Sequence, residues 1–309
     1  LTQIKVNSGV TGIIMLGGSR ERVGELYELA DALAHGAGAR PIRRIYVTGE
    51  INASIVQRPR HLGVGEIATD LLIGLPLAHA LSPRQLAAVI AHEIGHVVAR
   101  QRAMRGWSPW LQAWWMRTLD ELVAALPRGF PWFDPQGNTL CMKMLLLARM
   151  EEYAADQTAA RLVGAELLAE TLLELCCKAD FLANDYLPRV MELAARDASC
   201  GVRPYREMGH GFAAGFAQSS AAIDPQRVLQ ADPGDPFHPA LQDRLDAIGV
   251  AVPERRESAG PSAAQHFFGD GLPFLAWHFD RVWLESLRDA CPPLLSPCAQ
   301  QPVPVLRTA

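Results

Sequence analysis

Apolar residues recur at helical spacing in three stretches of the chain. Val23, Leu26, Tyr27, Ala30 and Leu33 place one face on an amphipathic helix over residues 21–35. Leu86, Val89, Ile90, Ile94 and Val97 predict a second helix from Ser82 to about Arg102. Its start is well marked. Ser82 is a good N-cap, Pro83 suits the first helical position, and Gln85 completes a capping box. Leu145, Leu146, Leu147, Met150, Tyr153, Ala154 and Leu162 offer the apolar surface of a third, long helix from about Cys141 to Lys178. Residues 42–57 and 61–68 read as short strands, broken by Gly49 and by Arg58-Pro59-Arg60. The pattern predicts an α+β, helix-dominated fold. No uninterrupted apolar run reaches a membrane span; 71–91 comes closest, and Pro76, Pro83 and Arg84 break it.

The second helix carries the chemistry. Ala91-His92-Glu93-Ile94-Gly95-His96 is an H-E-x-x-H sequence. Two His four apart share one helix face and can share one metal ion, and the Glu beside the first can reach a water on that metal. H-E-x-x-H also arises by chance on helices with two surface His. Here it lies one or two turns inside a largely apolar helix, where two His and a Glu are costly unless paired or metal-bound. The reading is therefore a zinc site, with His92 and His96 as ligands and Glu93 as general base.

A catalytic zinc needs a third protein ligand and an open position. Glu152 and Asp156 are four apart on the third helix and share a face. Glu152 is the candidate ligand. Asp156 is the candidate acceptor for the outer ring N–H of a ligand His. Both would otherwise belong to an exposed acidic face, and Glu151, about 100° round an ideal helix from Glu152, fits that simpler reading.

The pair of segments Ala91 to His96 and Arg149 to Asp156 resembles the signatures of the HtpX-like and CAAX-prenyl-protease-like zinc endopeptidases, the gluzincins of metallopeptidase family 48. Asn52-Ala53 after a strand-like 44–48, Ile73-Gly74-Leu75-Pro76-Leu77, and His238-Pro239 with Arg244 are similar to further family elements, so the resemblance covers roughly residues 20–250. It implies a gluzincin-type domain with a small, mainly antiparallel sheet beside the H-E-x-x-H helix, and one zinc per chain. It also implies a peptide or protein substrate that adds as a strand near Asn52 and Ala53. His238 or Arg244 is implied as the second donor to the oxyanion; an ordinary turn and a salt bridge are their plain alternatives. The resemblance further suggests a bacterial protein at the cytoplasmic side of a membrane, in protein processing or quality control. An inactive zinc-binding scaffold or adaptor at a membrane surface is the other reading.

A chain of 309 residues, 49% hydrophobic and with a formal net charge of −4, can bury the core of one domain, expected over 1–290, and does not point to nucleic acid. Many relatives of the resembled type carry membrane spans between the two zinc signatures; residues 99–147 hold none. That insertion instead sets Arg100, Arg102, Arg105 and Arg117 among Trp107, Trp110, Trp114 and Trp115. The mixture suits either a membrane-surface segment or a lid packed on the domain. The chain begins at Leu1, as expected of a fragment cut after an N-terminal anchor. The six Cys form no C-x-x-C pair and read as reduced thiols, although Cys291 and Cys298 of the Pro-rich tail 291–309 could bridge.

Overall fold

The computed structural model describes residues 13–15, 24–59, 67–103, 135–196, 201–216, 229, 238–254 and 260–290. The Trp-rich part of the insertion and the Pro-rich tail lie outside these residues, and so do Cys200, Cys291 and Cys298.

Four strands form one mixed sheet in the order β1 (Ile13–Met15), β2 (Arg44–Thr48), β4 (Ile67–Gly74), β3 (Ala53–Pro59). β2 runs parallel to β4, while β1 on β2 and β3 on β4 are antiparallel, so the sheet is mainly antiparallel, as expected. Two details differ from the reading of the sequence. Arg58-Pro59 does not break a strand: β3 runs through both, and Pro59 is tolerated because β3 is an edge of the described sheet. The described strand beside it is 67–74, which meets the expected 61–68 only at 67 and 68; residues 61–66 lie outside the described residues. The Thr69 to Ile73 stretch of this strand is buried on both faces, and such a central strand shows a near-continuous apolar run in place of alternation.

Helix α1 (Gly24–Ala37) packs on the H-E-x-x-H helix and buries Leu26, Tyr27, Ala30 and Leu33 in the core that helix shares with the sheet, and the buried Tyr27 hydroxyl accepts the Ile45 N–H at 3.0 Å. A short helix α2 (Leu75–Ala80) leads into α3 (Pro83–Ala103). The capping box is formed: Ser82 N–H donates to Gln85 Oε1 at 3.0 Å, and Gln85 N–H to Ser82 Oγ at 3.4 Å. Leu86, Ile90 and Ile94 of α3 are fully buried in the same core as Ile45, Val47, Leu71 and Ile73.

The expected single helix over 141–178 is two. α4 (Pro135–Val163) starts earlier, and Gly164, at φ 97°, breaks it from α5 (Ala165–Phe181). Apolar spacing continues across the break, which hid it; only a residue free to adopt positive φ marks it. A wide turn over Leu182–Tyr186 continues into α6 (Leu187–Arg196). Cys176 on α5 is a free thiol, and Cys177 beside it is buried. The remaining described helices are α7 (Pro204–His210), α8 (Leu241–Ile248), α9 (Ala263–Phe268) and α10 (Leu272–Ala290). No described helix is long and apolar enough to cross a membrane.

The N-terminus of α7 is capped from a distance. Its own N-cap residue, Arg203, supplies no side-chain cap. Asp280 of α10 does so instead, its Oδ1 accepting the Tyr205 N–H at 2.8 Å. Burial pushes this carboxyl up to about 6, against the opposing pull of the two backbone N–H groups of Tyr205 and Arg206 and of the nearby Arg206 and Arg203 charges.

Candidate metal centre

Helices α3 and α4 pack along one another, and the crossing is made possible by Gly95. A Cβ there would stand 2.7 Å from both the Cα and the carbonyl oxygen of Ala155, closer than a Cβ can stand to a neighbouring backbone. A glycine inside a helix costs about 1 kcal/mol relative to alanine. Here it brings the two signature helices into backbone contact, so side chains one turn either side of the crossing can meet.

The side chains that meet are those of His92, His96 and Glu152. The two Nε2 atoms are 3.1 Å apart. Glu152 Oε1 is 3.3 Å from His96 Nε2, and Oε2 is 3.6 Å from His92 Nε2. A tetrahedral zinc at 2.0–2.1 Å from each donor requires donors about 3.3 Å apart. The observed separations bracket that value, with Glu152 facing His96 through Oε1 and His92 through Oε2. Glu152 Oε2 is also buried without a hydrogen-bond partner among the described residues, which fits a lone pair reserved for a cation. The residues therefore fit a bound zinc.

Glu93 sits beside this trio, with a carboxylate oxygen within 4.8 Å of the donor atoms of His92 and His96. Burial pushes its carboxyl up, and the Glu152 charge adds to this; the charges of His92, His96 and Arg100 pull the other way without cancelling it. Glu152 has the opposite balance. Burial would raise it, but the hydrogen bond from His96 and the charges of His96, His92 and Arg244 outweigh burial and hold it at about 2. Burial likewise pulls His96 down, yet its hydrogen bond to Glu152 and the Glu93 and Glu152 charges push it up on balance. The two carboxyls of the site are thus driven apart, Glu93 upward and Glu152 downward.

Behind the trio, His92 Nδ1 lies 2.9 Å from Asp156 Oδ1. An N–H there donates to the carboxylate and leaves the Nε2 lone pair facing Glu152. Asp156 is fully buried, and Arg244 clamps it in two places: Nη2 to Oδ1 at 2.7 Å and Nε to Oδ2 at 2.8 Å. Burial would raise the Asp156 carboxyl, but the hydrogen bonds from Arg244 and His92 hold it at about 2. Arg244 comes from α8, and its Nη2 is also 3.7 Å from Glu152 Oε2. His238, just before α8, is half exposed, with Nε2 3.5 Å from Glu152 Oε1. Glu151 faces outward and pairs with Arg100 at 3.2 Å.

Asn52 precedes and Ala53 opens β3, the strand next to α3. Asn52 is exposed in the turn before β3, and Ala53 is the first, buried residue of that strand. The Asn52 carbonyl accepts the Gly74 N–H at 2.8 Å. Gly74 is forced: a Cβ there would stand 1.6 Å from the Glu50 carbonyl oxygen. The sequence reading missed the reason for Gly95. The signal was available, since a glycine on α3 faces the small Ala154-Ala155 pair on α4.

Two His and a Glu converging from paired helices, with a second Glu next to the first His, define an H-E-x-x-H metal-dependent peptidase site. The model of peptidase family M48 matches residues 67–249, more than half of the chain, and the chain belongs to that family. It is accordingly a zinc-dependent metallopeptidase. No curated protein matches the chain.

Proposed function

We propose that the chain is a zinc endopeptidase acting on extended segments of peptide or protein. The observation that carries the proposal is the convergence of the His92, His96 and Glu152 donors within 3.1–3.6 Å beside the Glu93 carboxyl. In this reading His92, His96 and Glu152 hold one zinc, which when bound polarises the scissile carbonyl and acidifies a water. Glu93 takes the water's proton and passes it to the leaving amine. Asp156 fixes the His92 ring, and Arg244, held on Asp156, acts through it rather than on substrate. His238, half exposed beside Glu152, is the proposed donor to the oxyanion. Substrate adds as a strand to the edge of β3 that pairs with no other described strand. Because Asn52 points its carbonyl to β4, main-chain groups alternate so that Ala53 and Ile55 face that edge.

Purified protein is expected to cleave unfolded casein at internal bonds, to lose that activity with a chelator, and to regain it with added zinc. Zinc-bound protein that releases only single terminal residues, or nothing, sinks the endopeptidase reading.

The proposal extends to work at a membrane surface. Met142, Leu146 and Met150 stand on successive turns of α4, with Leu147 beside them, each about 60% exposed. Exposed Lys143 and Arg149 flank the stripe. Contiguous apolar surface with cations at its margin suits the headgroup region of an anionic bilayer. The protein should co-sediment with vesicles containing phosphatidylglycerol more than with phosphatidylcholine alone, and less at high salt. Replacing Met142, Leu146 and Met150 by Ser should abolish the binding. Equal recovery of the triple variant and the parent would remove this surface from the proposal.

A further inference from the structure

The turn that leads into the substrate edge is held from two sides. On one side Gly74 lies against it, donating its N–H to the Asn52 carbonyl and leaving room for the Glu50 carbonyl. On the other stands Tyr205, 156 positions away in sequence, whose hydroxyl donates to the Gly49 carbonyl at 2.9 Å. Gly49 leaves space for this hydroxyl: a Cβ at that position would come within 2.8 Å of it and within 3.3 Å of the Phe279 ring.

Tyr205 is itself fixed at both ends. Its backbone N–H is held by Asp280, and its ring packs on the fully buried Phe279, with centroids 5.4 Å apart. Burial pushes the hydroxyl up to about 12, so it stays protonated and keeps its donor. The path from α10 through Tyr205 to the Gly49–Asn52 turn is therefore rigid, and it ends one residue before Ala53.

We propose that Tyr205 is a positioning residue for substrate: by holding the Gly49 carbonyl it sets where the main-chain groups of Ala53 and Ile55 stand for a peptide added to β3. This rests on the reading that substrate pairs with β3. Tyr205 touches neither the metal trio nor Glu93 in this assignment. Its loss is felt in binding along the strand rather than in the proton transfers.

The test is Tyr205→Phe, which keeps the ring stack on Phe279 and removes only the donor. Steady-state kinetics on an unfolded peptide long enough to span β3 should show KM raised about 3- to 10-fold, the size of one lost neutral hydrogen bond. The kcat and zinc content should stay near the parent values, and Tm should fall by no more than one lost neutral hydrogen bond explains. Gly49→Ala, which drives a methyl against the hydroxyl, should raise KM in the same direction. An unchanged KM in Tyr205→Phe overturns the inference. So does a fall of kcat and zinc content together with Tm, which marks a merely structural residue.

Peptides N-methylated at single backbone positions separate the two layers. If no N-methylation raises KM for the parent enzyme, the β3 reading fails and takes the inference with it. If N-methylation raises KM while Tyr205→Phe behaves as the parent, the β3 reading stands and only the role of Tyr205 is lost.

Discussion

Replacing Glu93 by Gln is expected to leave zinc bound at one ion per chain and to reduce peptide hydrolysis by about 10³-fold or more, within the range by which a positioned general base contributes. The expectation follows from the local balance of charge and burial. Burial pushes the Glu93 carboxyl above its ordinary value, with the neighbouring Glu152 charge adding to the effect. Such a group takes up a proton more readily than a solvated carboxylate, which suits both taking a proton from water and returning it to an amine. Glutamine keeps the volume and the hydrogen-bonding shape but cannot accept that proton. The donor trio of His92, His96 and Glu152 is untouched by the change. Zinc content by elemental analysis, run beside casein or peptide digestion, reads the two effects separately. Wild-type turnover in the variant would rule out the mechanism, whatever the metal content. The same variant should hold uncleaved substrate and so give a route to its identity.

The parts of this molecule that were legible in the sequence are those whose chemistry sits at a fixed short spacing. The capping box of Ser82 and Gln85, the i,i+4 pair His92 and His96, and the i,i+4 pair Glu152 and Asp156 are local, and helix geometry alone puts each pair on one face. Two features of the fold escape a reading by hydrophobic period. β4 is a buried central strand whose apolar run looks like the lead-in to a helix, and Gly164 interrupts a helix without interrupting its apolar period.

The long-range couplings were not legible. The clamp of Arg244 on Asp156 joins residues 88 apart, and Tyr205 joins Asp280 and Gly49 across 75 and 156 positions. Nothing in a single sequence pairs them. For Arg244 the resemblance suggested either an oxyanion donor or a salt bridge; its guanidinium lies on a fully buried carboxylate. Gly95 is an intermediate case: the residue was visible, but its meaning depends on the Ala155 backbone facing it.

Deleting single members of the site should separate inner from outer residues. His96→Ala and Glu152→Ala each remove one of three converging donors, and zinc affinity should collapse in both, by several orders of magnitude on the scale of a lost metal ligand. Asp156→Asn keeps the volume and an acceptor oxygen but loses the charge that fixes His92 and pairs with Arg244. Its zinc affinity or activity should fall about 10- to 100-fold, as outer partners of ligand His usually cost. This variant also leaves the buried Arg244 guanidinium without its carboxylate, so its Tm should fall even without metal. Glu152→Ala removes a buried anion that has no hydrogen-bond partner at Oε2, so its metal-free Tm should change less than that of Asp156→Asn. Competition against a zinc chelator gives the affinities, and Tm with and without zinc gives the stabilities. Full zinc binding and full activity in Glu152→Ala would assign the third ligand elsewhere, with Glu93 or His238 the nearest candidates by distance. A Tm for metal-free Asp156→Asn equal to the parent value would show that the Asp156–Arg244 pair orients His92 without contributing net stability.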